Sequence, residues 1–242
     1  MTTVDVTLPV YNEAHVLERS VRALHGFLTD HLTYEWRILV ADNGSTDGTF
    51  DVAKRLEGEM ANVAVMRIPE AGRGRALTRA WLASNADVLA YMDIDLSTDL
   101  EAFPRLVSLI ADQGYDAAAG SRLDRASETT RSIKREVLSR GFVLLITLMF
   151  RARLNDTQCG FKAIGRDCAQ HLLPMVIDTG WFWDTELLLM ARKGGWKVGF
   201  VPVRWVEDTD SRVKVVQTVL RDVKGLLRML RFDWSRARKP DA

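Results

Sequence analysis

Cysteine is scarce in this chain of 242 residues, with only Cys159 and Cys168 present. Two cysteines at that spacing make neither a disulfide framework nor a metal knuckle, so the sequence predicts a reducing compartment. The four histidines, His15, His25, His31 and His171, show no ligand spacing and receive no role. An excess of either charge is missing as well. The net charge is +1, so no overall field favours nucleic acid as a partner, and any basic surface must be local. No apolar run reaches the ~18 to 20 residues of a spanning helix. The longest candidate, Phe142 to Phe150, is too short to cross a bilayer alone. Met1 to Asp5 leads straight into a predicted strand without a basic and then apolar leader, so no secretory signal is expected. There is no internal repeat and no low-complexity linker. What is left is a globular composition, 47% hydrophobic and 27% charged, long enough for one α/β domain or two intimately joined lobes.

The chain is organised around Val88 to Asp99, V-L-A-Y-M-D-I-D-L-S-T-D. Val88 to Met92 is the continuous apolar run of a strand buried on both faces, and two carboxylates, Asp93 and Asp95, follow it. Residues two apart on an extended chain point the same way, so both could address one hard cation, Mg²⁺ or Mn²⁺ on a diphosphate. The plainer alternative is that both cap the turn into the next helix.

Around this strand the chain alternates strand and helix, the pattern of a mainly parallel sheet with helices on its faces. Strands are predicted at Val4–Val10, Trp36–Ala41 and Val63–Ile68, and helices from Asn12 to about Leu28, up to Glu57, and over Leu77–Ser84. Right-handed crossovers bring the polar loops after these strands to one edge, where ligands of open α/β sheets bind. In D-N-G-S-T-D-G-T (Asp42–Thr49), Gly44 and Gly48 permit a tight turn, and Asp42 could accept from a ribose or a base N–H. G-R-G-R-A (Gly72–Ala76) is read as a loop. It fails as a dinucleotide fingerprint because Leu77 stands where the third glycine belongs, but Arg73 and Arg75 would suit a diphosphate.

The order of these stretches carries a resemblance. P-V-Y-N-E (Pro9–Glu13), D-N-G-S-T-D-G-T, G-R-G-R-A and D-I-D-L-S together look like inverting glycosyltransferases of family 2, with the GT-A fold. G-S-R (Gly120–Arg122), R-E-V-L-S-R-G (Arg135–Gly141), D-T-Q-C-G-F-K (Asp156–Lys162), G-W-F-W-D-T-E-L (Gly180–Leu187) and V-P-V-R-W (Val201–Trp205) narrow it to polyprenyl-phosphate glycosyltransferases resembling dolichol-phosphate mannose and glucose synthases. The resemblance implies that Pro9, Tyr11, Glu13 and Asp42 line a nucleoside pocket, that Asp93 sits near ribose and metal, and that Asp95 is the metal ligand. It implies further that Arg122, Arg135, Ser139 and Arg140 receive a lipid phosphate, with Arg212 or Lys214 supplying a further charge. Asp156, Gln158 and Lys162 would shape the sugar site, and Asp184 and Glu186 would support the sugar and acceptor side. Departures are Asn43, where the family often has a second Asp, Ser97, where mannosyl enzymes often carry Gln, and the missing Arg before G-x-S-K.

The implied donor is GDP-mannose or UDP-glucose, the acceptor a polyprenyl phosphate, and the cofactor Mg²⁺ or Mn²⁺. A lipid phosphate is already an anion, so its attack on the anomeric carbon needs no general base; the barrier is electrostatic, and the metal with Asp93, Asp95, Arg122 and Arg135 would lower it. The expected location is cytoplasmic, peripheral on the inner face of a membrane, with a possible membrane-embedded partner. Two stretches support the membrane reading. Leu138–Phe150 is apolar nearly all round with arginines at both ends, which suits either a buried helix or shallow insertion. Val213–Phe232 places Val216, Val219, Leu220, Val223, Leu226, Leu227 and Leu230 at helical spacing, with Lys214, Arg221, Lys224, Arg228 and Arg231 on the opposite face. The organisation read from this is a catalytic domain over 1–212 (nucleotide-sugar half 1–125, acceptor half 126–212), a basic amphipathic helix over 213–235, and a disordered tail over 236–242. Competing readings are a haloacid-dehalogenase-like phosphatase, whose distal Lys and Asp motifs are not found, a family 2 transferase using Glu207 and Asp208 on a saccharide hydroxyl, and a non-catalytic sugar-nucleotide-binding subunit.

Overall fold

The structure is a computed structural model and describes residues 1–130, 133–206 and 215–240, without the side chains of 133–135 and 215–217. Its centre is a seven-stranded sheet in the order β3-β2-β1-β4-β7-β5-β8. The strands are β1 (Thr3–Val10), β2 (Glu35–Asn43), β3 (Val63–Ile68), β4 (Val88–Met92), β5 (Ala117–Ser121), β7 (Phe161–Gly165) and β8 (Val198–Pro202). The sheet is mainly parallel, as the sequence predicts, with β7 alone running antiparallel between β4 and β5. A two-stranded parallel ribbon, β6 (Glu128–Thr130) with β9 (Arg204–Val206), lies beside it.

Alternation along the strands builds two cores. Val4, Val6, Leu8 and Val10 of β1 and Val88, Ala90 and Met92 of β4 face the helices α1 (Ala14–His31), α2 (Thr49–Glu59) and α4 (Phe103–Ala111). Leu89 and Tyr91 face the other layer, built from α3 (Arg73–Leu82), α5 (Ile133–Phe150), α6 (Arg166–Leu172), α7 (Trp183–Lys193) and α8 (Val215–Met229). β4 is buried at every residue, as the apolar run predicts. The chain winds from β1 outward to β3 and then crosses back to place β4 on the other side of β1. That reversal makes the carboxyl ends of β1 and β4 the switch point of the sheet, the place where such folds open a ligand crevice.

Three expectations are corrected, beyond shifts of a few residues at the ends of other elements. α3 begins at Arg73, so G-R-G-R-A forms the first turn of a helix, which Gly74 permits because a Cβ there would lie 2.6 Å from Trp183 Cβ on α7. Asp93 and Asp95 do not share a direction by strand alternation, since the chain leaves extended geometry after Met92 and turns at Ile94–Asp95, with Leu96 at φ 52°. Arg236–Pro240 is a packed end where a disordered tail was expected. Ala237 is buried, its carbonyl accepts from Trp196 Nε1 at 2.9 Å, and Lys239 Nζ reaches Asp116 at 2.7 Å. No helix of the described residues is long and apolar enough to cross a membrane.

Because α3 and α7 touch backbone against ring at Gly74, Gly74→Ala should lower stability by about 1–3 kcal/mol through overpacking. Urea denaturation measures this, and an unchanged midpoint would contradict the close approach.

Candidate functional site

Three chain segments meet at the carboxyl edge. The turn after β1 is stitched to the turn after β2: Ser45 Oγ accepts from Asn12 N at 3.0 Å, Thr49 Oγ1 from Glu13 N at 2.8 Å, and Asn12 Oδ1 from Thr46 N at 2.8 Å. Asn12 adopts φ 57°, which an Asn tolerates, and Tyr11 beside it is exposed. Asp42 lies fully buried beneath these turns. Its Oδ1 accepts from Ser45 N at 3.2 Å, and its Oδ2 has no hydrogen-bond partner, the nearest cation being Arg67 Nε at 3.6 Å. An orphaned buried acceptor at the end of a strand is suited to an N–H or hydroxyl from a ligand. Asn43 is used structurally, accepting from Gly72 N at 2.5 Å and so tying the turn after β2 to the start of α3.

The floor of the crevice is a buried ionic cluster. Asp93 follows β4 directly, and its Oδ1 accepts from Arg73 Nη2 at 2.8 Å. Gly160 just before β7 leaves room for it, because a Cβ there would stand 1.7 Å from Asp93 Oδ2. Arg73 reaches on to Asp184 Oδ2 at 2.5 Å, and its guanidinium lies 4.9 Å from the Tyr91 ring and 4.8 Å from the Trp181 ring. Asp184 Oδ1 accepts from the Tyr91 hydroxyl and pairs with Lys162 Nζ at 3.0 Å. Burial opposes the charge of Asp184, but Lys162 and Arg73 overcome it and hold its carboxyl below the usual range. Burial pushes the Tyr91 phenol well above its ordinary value, so it stays a donor. Trp81, Tyr91 and Trp183 pack ring on ring around the cluster at 5.4 to 6.1 Å, and Trp183 Nε1 donates to Thr78 Oγ1 at 2.8 Å. Arg73 is therefore a structural partner of two carboxylates, while Arg75 is half-buried and donates to Ala71 O at 3.1 Å.

A second pair forms the adjoining wall. Arg122 at the end of β5 grips Asp156 through Nε at 2.8 Å and Nη2 at 3.0 Å, and its backbone N adds a bond at 3.1 Å. Burial resists the Asp156 charge, and the Arg122 guanidinium outweighs it and depresses the carboxyl. The Arg122 guanidinium sits 5.5 Å from the Trp205 ring. Gln158 follows, its side chain donating to Asp222 Oδ2 of α8 at 2.6 Å. Glu186 of α7 is buried, accepts from Asp178 N at 2.9 Å, and meets Arg228 Nη2 of α8 at 2.6 Å.

The structure thus joins Asp93, Arg73, Lys162 and Asp184 in one cluster and sets the Arg122–Asp156 pair near Asp93, while Asp42 stays at the end of β2, Gln158 pairs with Asp222 and Glu186 with Arg228. Pro9, Tyr11 and Glu13 lie at the same edge, and Asp95 is exposed on the turn, where its Oδ1 accepts from Ser97 N at 3.0 Å. Ser139 and Arg140 lie on α5, with Arg140 exposed and paired to Glu136 one turn back. The side chain of Arg135 and all of Glu207, Asp208, Arg212 and Lys214 lie outside the described residues. The residues missed are Tyr91, hidden in an apolar strand, and Asp222, a single acid on a basic helix. Among the described residues no group of three or more His, Cys, Asp or Glu could hold a metal by itself. The donor set nevertheless fits Mg²⁺, which takes one or two carboxylates with the remaining oxygens from substrate phosphates and water; Asp93 and the exposed Asp95 are of that type.

A mainly parallel sheet with an acidic turn at its switch point is the architecture of the GT-A-like α/β glycosyltransferases. The chain belongs to glycosyl transferase family 2, whose model matches residues 5–173. Over 98% of its length it is 38% identical to glycosyltransferase AglD of Haloferax volcanii, of which it spans 38%. It is 28% identical over 86% of its length to dolichyl-phosphate beta-glucosyltransferase ALG5C of Trichomonas vaginalis, of which it spans 65%. The chain thus spans less than two thirds of these relatives. Glucosyl-3-phosphoglycerate synthase from Mycobacterium tuberculosis, solved with Mn²⁺, UDP and phosphoglyceric acid, shares the fold at a TM-score of 0.70 and 21% identity, with 100% of this chain and 80% of that one covered.

Asp184→Asn should cost about 3–5 kcal/mol at neutral pH, because it leaves Arg73 and Lys162 buried with less countercharge. The depressed carboxyls of Asp184 and Asp156 contribute stability above the unfolded value near ~4 that is lost as pH falls through their lower folded values. Denaturation midpoints across acid pH should therefore fall less steeply for Asp184→Asn than for the unaltered chain, and parallel profiles would contradict the pairing.

Proposed function

We propose that this chain transfers glucose, with inversion, from UDP-glucose to a dolichyl-type polyprenyl phosphate at a membrane surface. The observation that carries the reading is the pairing of an acidic switch-point turn, Asp93 to Asp95, with a buried arginine wall at Arg122. The relatives named as dolichyl-phosphate glucosyltransferases support glucose over mannose and lend GDP-mannose no support. Asp42, with its orphaned Oδ2, would receive the nucleoside, and Asp93, locked by Arg73, would present one face toward the diphosphate. A bound Mg²⁺ or Mn²⁺ would supply Lewis-acid neutralisation of the departing diphosphate, held by Asp95 with Asp93. Arg122, oriented by its two-pronged grip on Asp156, would attract the lipid phosphate. Arg135, Ser139, Arg140 and Arg212 remain its proposed companions, and Arg75 a proposed diphosphate contact. No side chain has to take a proton from the nucleophile.

The membrane reading rests on two exposed apolar rows. α5 buries Ile146 and Phe150 but exposes Val137, Leu138, Leu144 and Leu148. α8 carries three stripes: Asp222, Gly225, Leu226 and Met229 turn inward, Val219, Leu220, Val223 and Leu227 are exposed, and Arg221 and Lys224 adjoin them, with Leu230 and Arg231 exposed in the turn that follows. An apolar stripe edged by cations matches an anionic bilayer surface.

A panel of UDP- and GDP-sugars with Mg²⁺ or Mn²⁺ and a short polyprenyl phosphate should give glycolipid with UDP-glucose alone. Asp95→Ala should abolish transfer, and near-normal turnover of that variant in excess chelator would refute the metal role. Leu220→Glu with Leu227→Glu should reduce flotation with anionic liposomes while leaving the melting temperature unchanged; undiminished flotation would remove α8 from the membrane contact.

A further inference from the structure

The acid on α8 is out of place on a basic amphipathic helix. Asp222 is 4% exposed, its Oδ2 accepts from Gln158 Nε2 at 2.6 Å, and its Oδ1 has no hydrogen-bond partner. α8 is pressed inward at this point: a Cβ on Gly225, one turn later, would lie 2.4 Å from the Phe182 ring, and Arg228 reaches Glu186 at 2.6 Å. Gln158 stands between Asp156, which holds Arg122, and Gly160, which makes room for Asp93. α8 lies beyond the residues that the family model covers.

An orphaned buried carboxylate oxygen is costly, and its natural complement is a hydrogen-bond donor. The surrounding chemistry narrows the donor. Asp178 and Asp184 raise the Asp222 carboxyl, and no described cation pairs with it, so a neutral hydrogen-bond donor suits its free oxygen better than an anion does. No described group of three carboxylate, imidazole or thiolate residues makes a cation site. An ionised phosphate acceptor has no proton to give, and the ribose belongs with Asp42 in the turn after β2. A hydroxyl of the transferred sugar remains. We infer that Asp222, carried into the site by the C-terminal helix, accepts a hydrogen bond from a hydroxyl of the donor hexose and helps select that sugar; this rests on the nucleotide-sugar reading above.

The carboxylate is kept at the expense of stability. Burial pushes the Asp222 carboxyl up to about 6, Gln158 pulls it down in part, and Asp178 and Asp184 push it up further. A carboxyl raised in the folded state costs stability increasingly as pH climbs above its unfolded value, with the full penalty above the folded value. Asp222→Asn should therefore melt at or above the unaltered chain at pH 8 and show no such gain at pH 4, a pattern that a residue kept for folding would not give.

The deciding experiment titrates the full chain and Asp222→Asn with UDP, UDP-glucose and UDP-glucose analogues lacking one hydroxyl at a time. UDP should bind both proteins equally. UDP-glucose should bind the variant about tenfold more weakly, the loss of one hydrogen bond, and one deoxy analogue should bind both proteins alike, which identifies the hydroxyl. Equal losses for UDP and UDP-glucose, no loss, or a uniform loss across all analogues would overturn the inference while leaving the donor assignment intact. An unaltered chain that binds UDP but not UDP-glucose would overturn both. If Asp222→Asn does not fold, Asp222→Ser repeats the comparison with the same outcomes.

Discussion

The carboxylate of Asp184 is the contact on which the rest of the site depends. It lies at the start of α7 and is shared by Arg73 of α3, Tyr91 of β4 and Lys162 of β7. Four elements from distant parts of the chain thus meet on two oxygens. In a buried setting an unpaired member of such a cluster is costly, so each partner restricts the others. The aromatic rings of Trp81, Tyr91 and Trp183 exclude water around it.

The cluster sets what the surface above can do. Arg73 spends one nitrogen on Asp184 and another on Asp93, so the first carboxylate after β4 is held from below. Asp93 is further confined by Gly160, whose missing side chain is its space. The second carboxylate, Asp95, lies past a turn and faces outward. Asp93 is held by Arg73 and Asp95 stands at the exposed turn, a pair of the kind that suits a cation completed by phosphate oxygens. Arg122 and Asp156 repeat the principle on the adjoining wall, and α8 closes the same side through Asp222 and Arg228.

Much of this was legible in the sequence, for identifiable reasons. Val88–Met92 reads as a buried strand because no polar residue interrupts it, and the loops fall at one edge because crossovers share one hand. Asp42 and Asp93 stood out as acids at the ends of strands, whereas Asp156 and Asp184 were reached only through the family resemblance of their motifs. The start of α3 was misplaced because glycine is a poor helix former in isolation, whereas here Gly74 is required by contact with Trp183. The shared direction of Asp93 and Asp95 was wrong because a turn broke the alternation. Tyr91 looks like any strand aromatic until its hydroxyl finds Asp184. The inner stripe of α8 was obscured because the apolar period pointed to Val219, Leu220 and Leu227, which face outward, while an acid and a glycine mark the docked side.

In the proposed reaction the acceptor arrives already ionised, so arginines and acids suffice without a base. The most direct test compares a short polyprenyl phosphate with the corresponding polyprenol as acceptor for UDP-glucose, scoring glycolipid formation. Product from the phosphate alone is the predicted result. Comparable product from the alcohol would mean that a general base operates in the crevice, and would contradict the account.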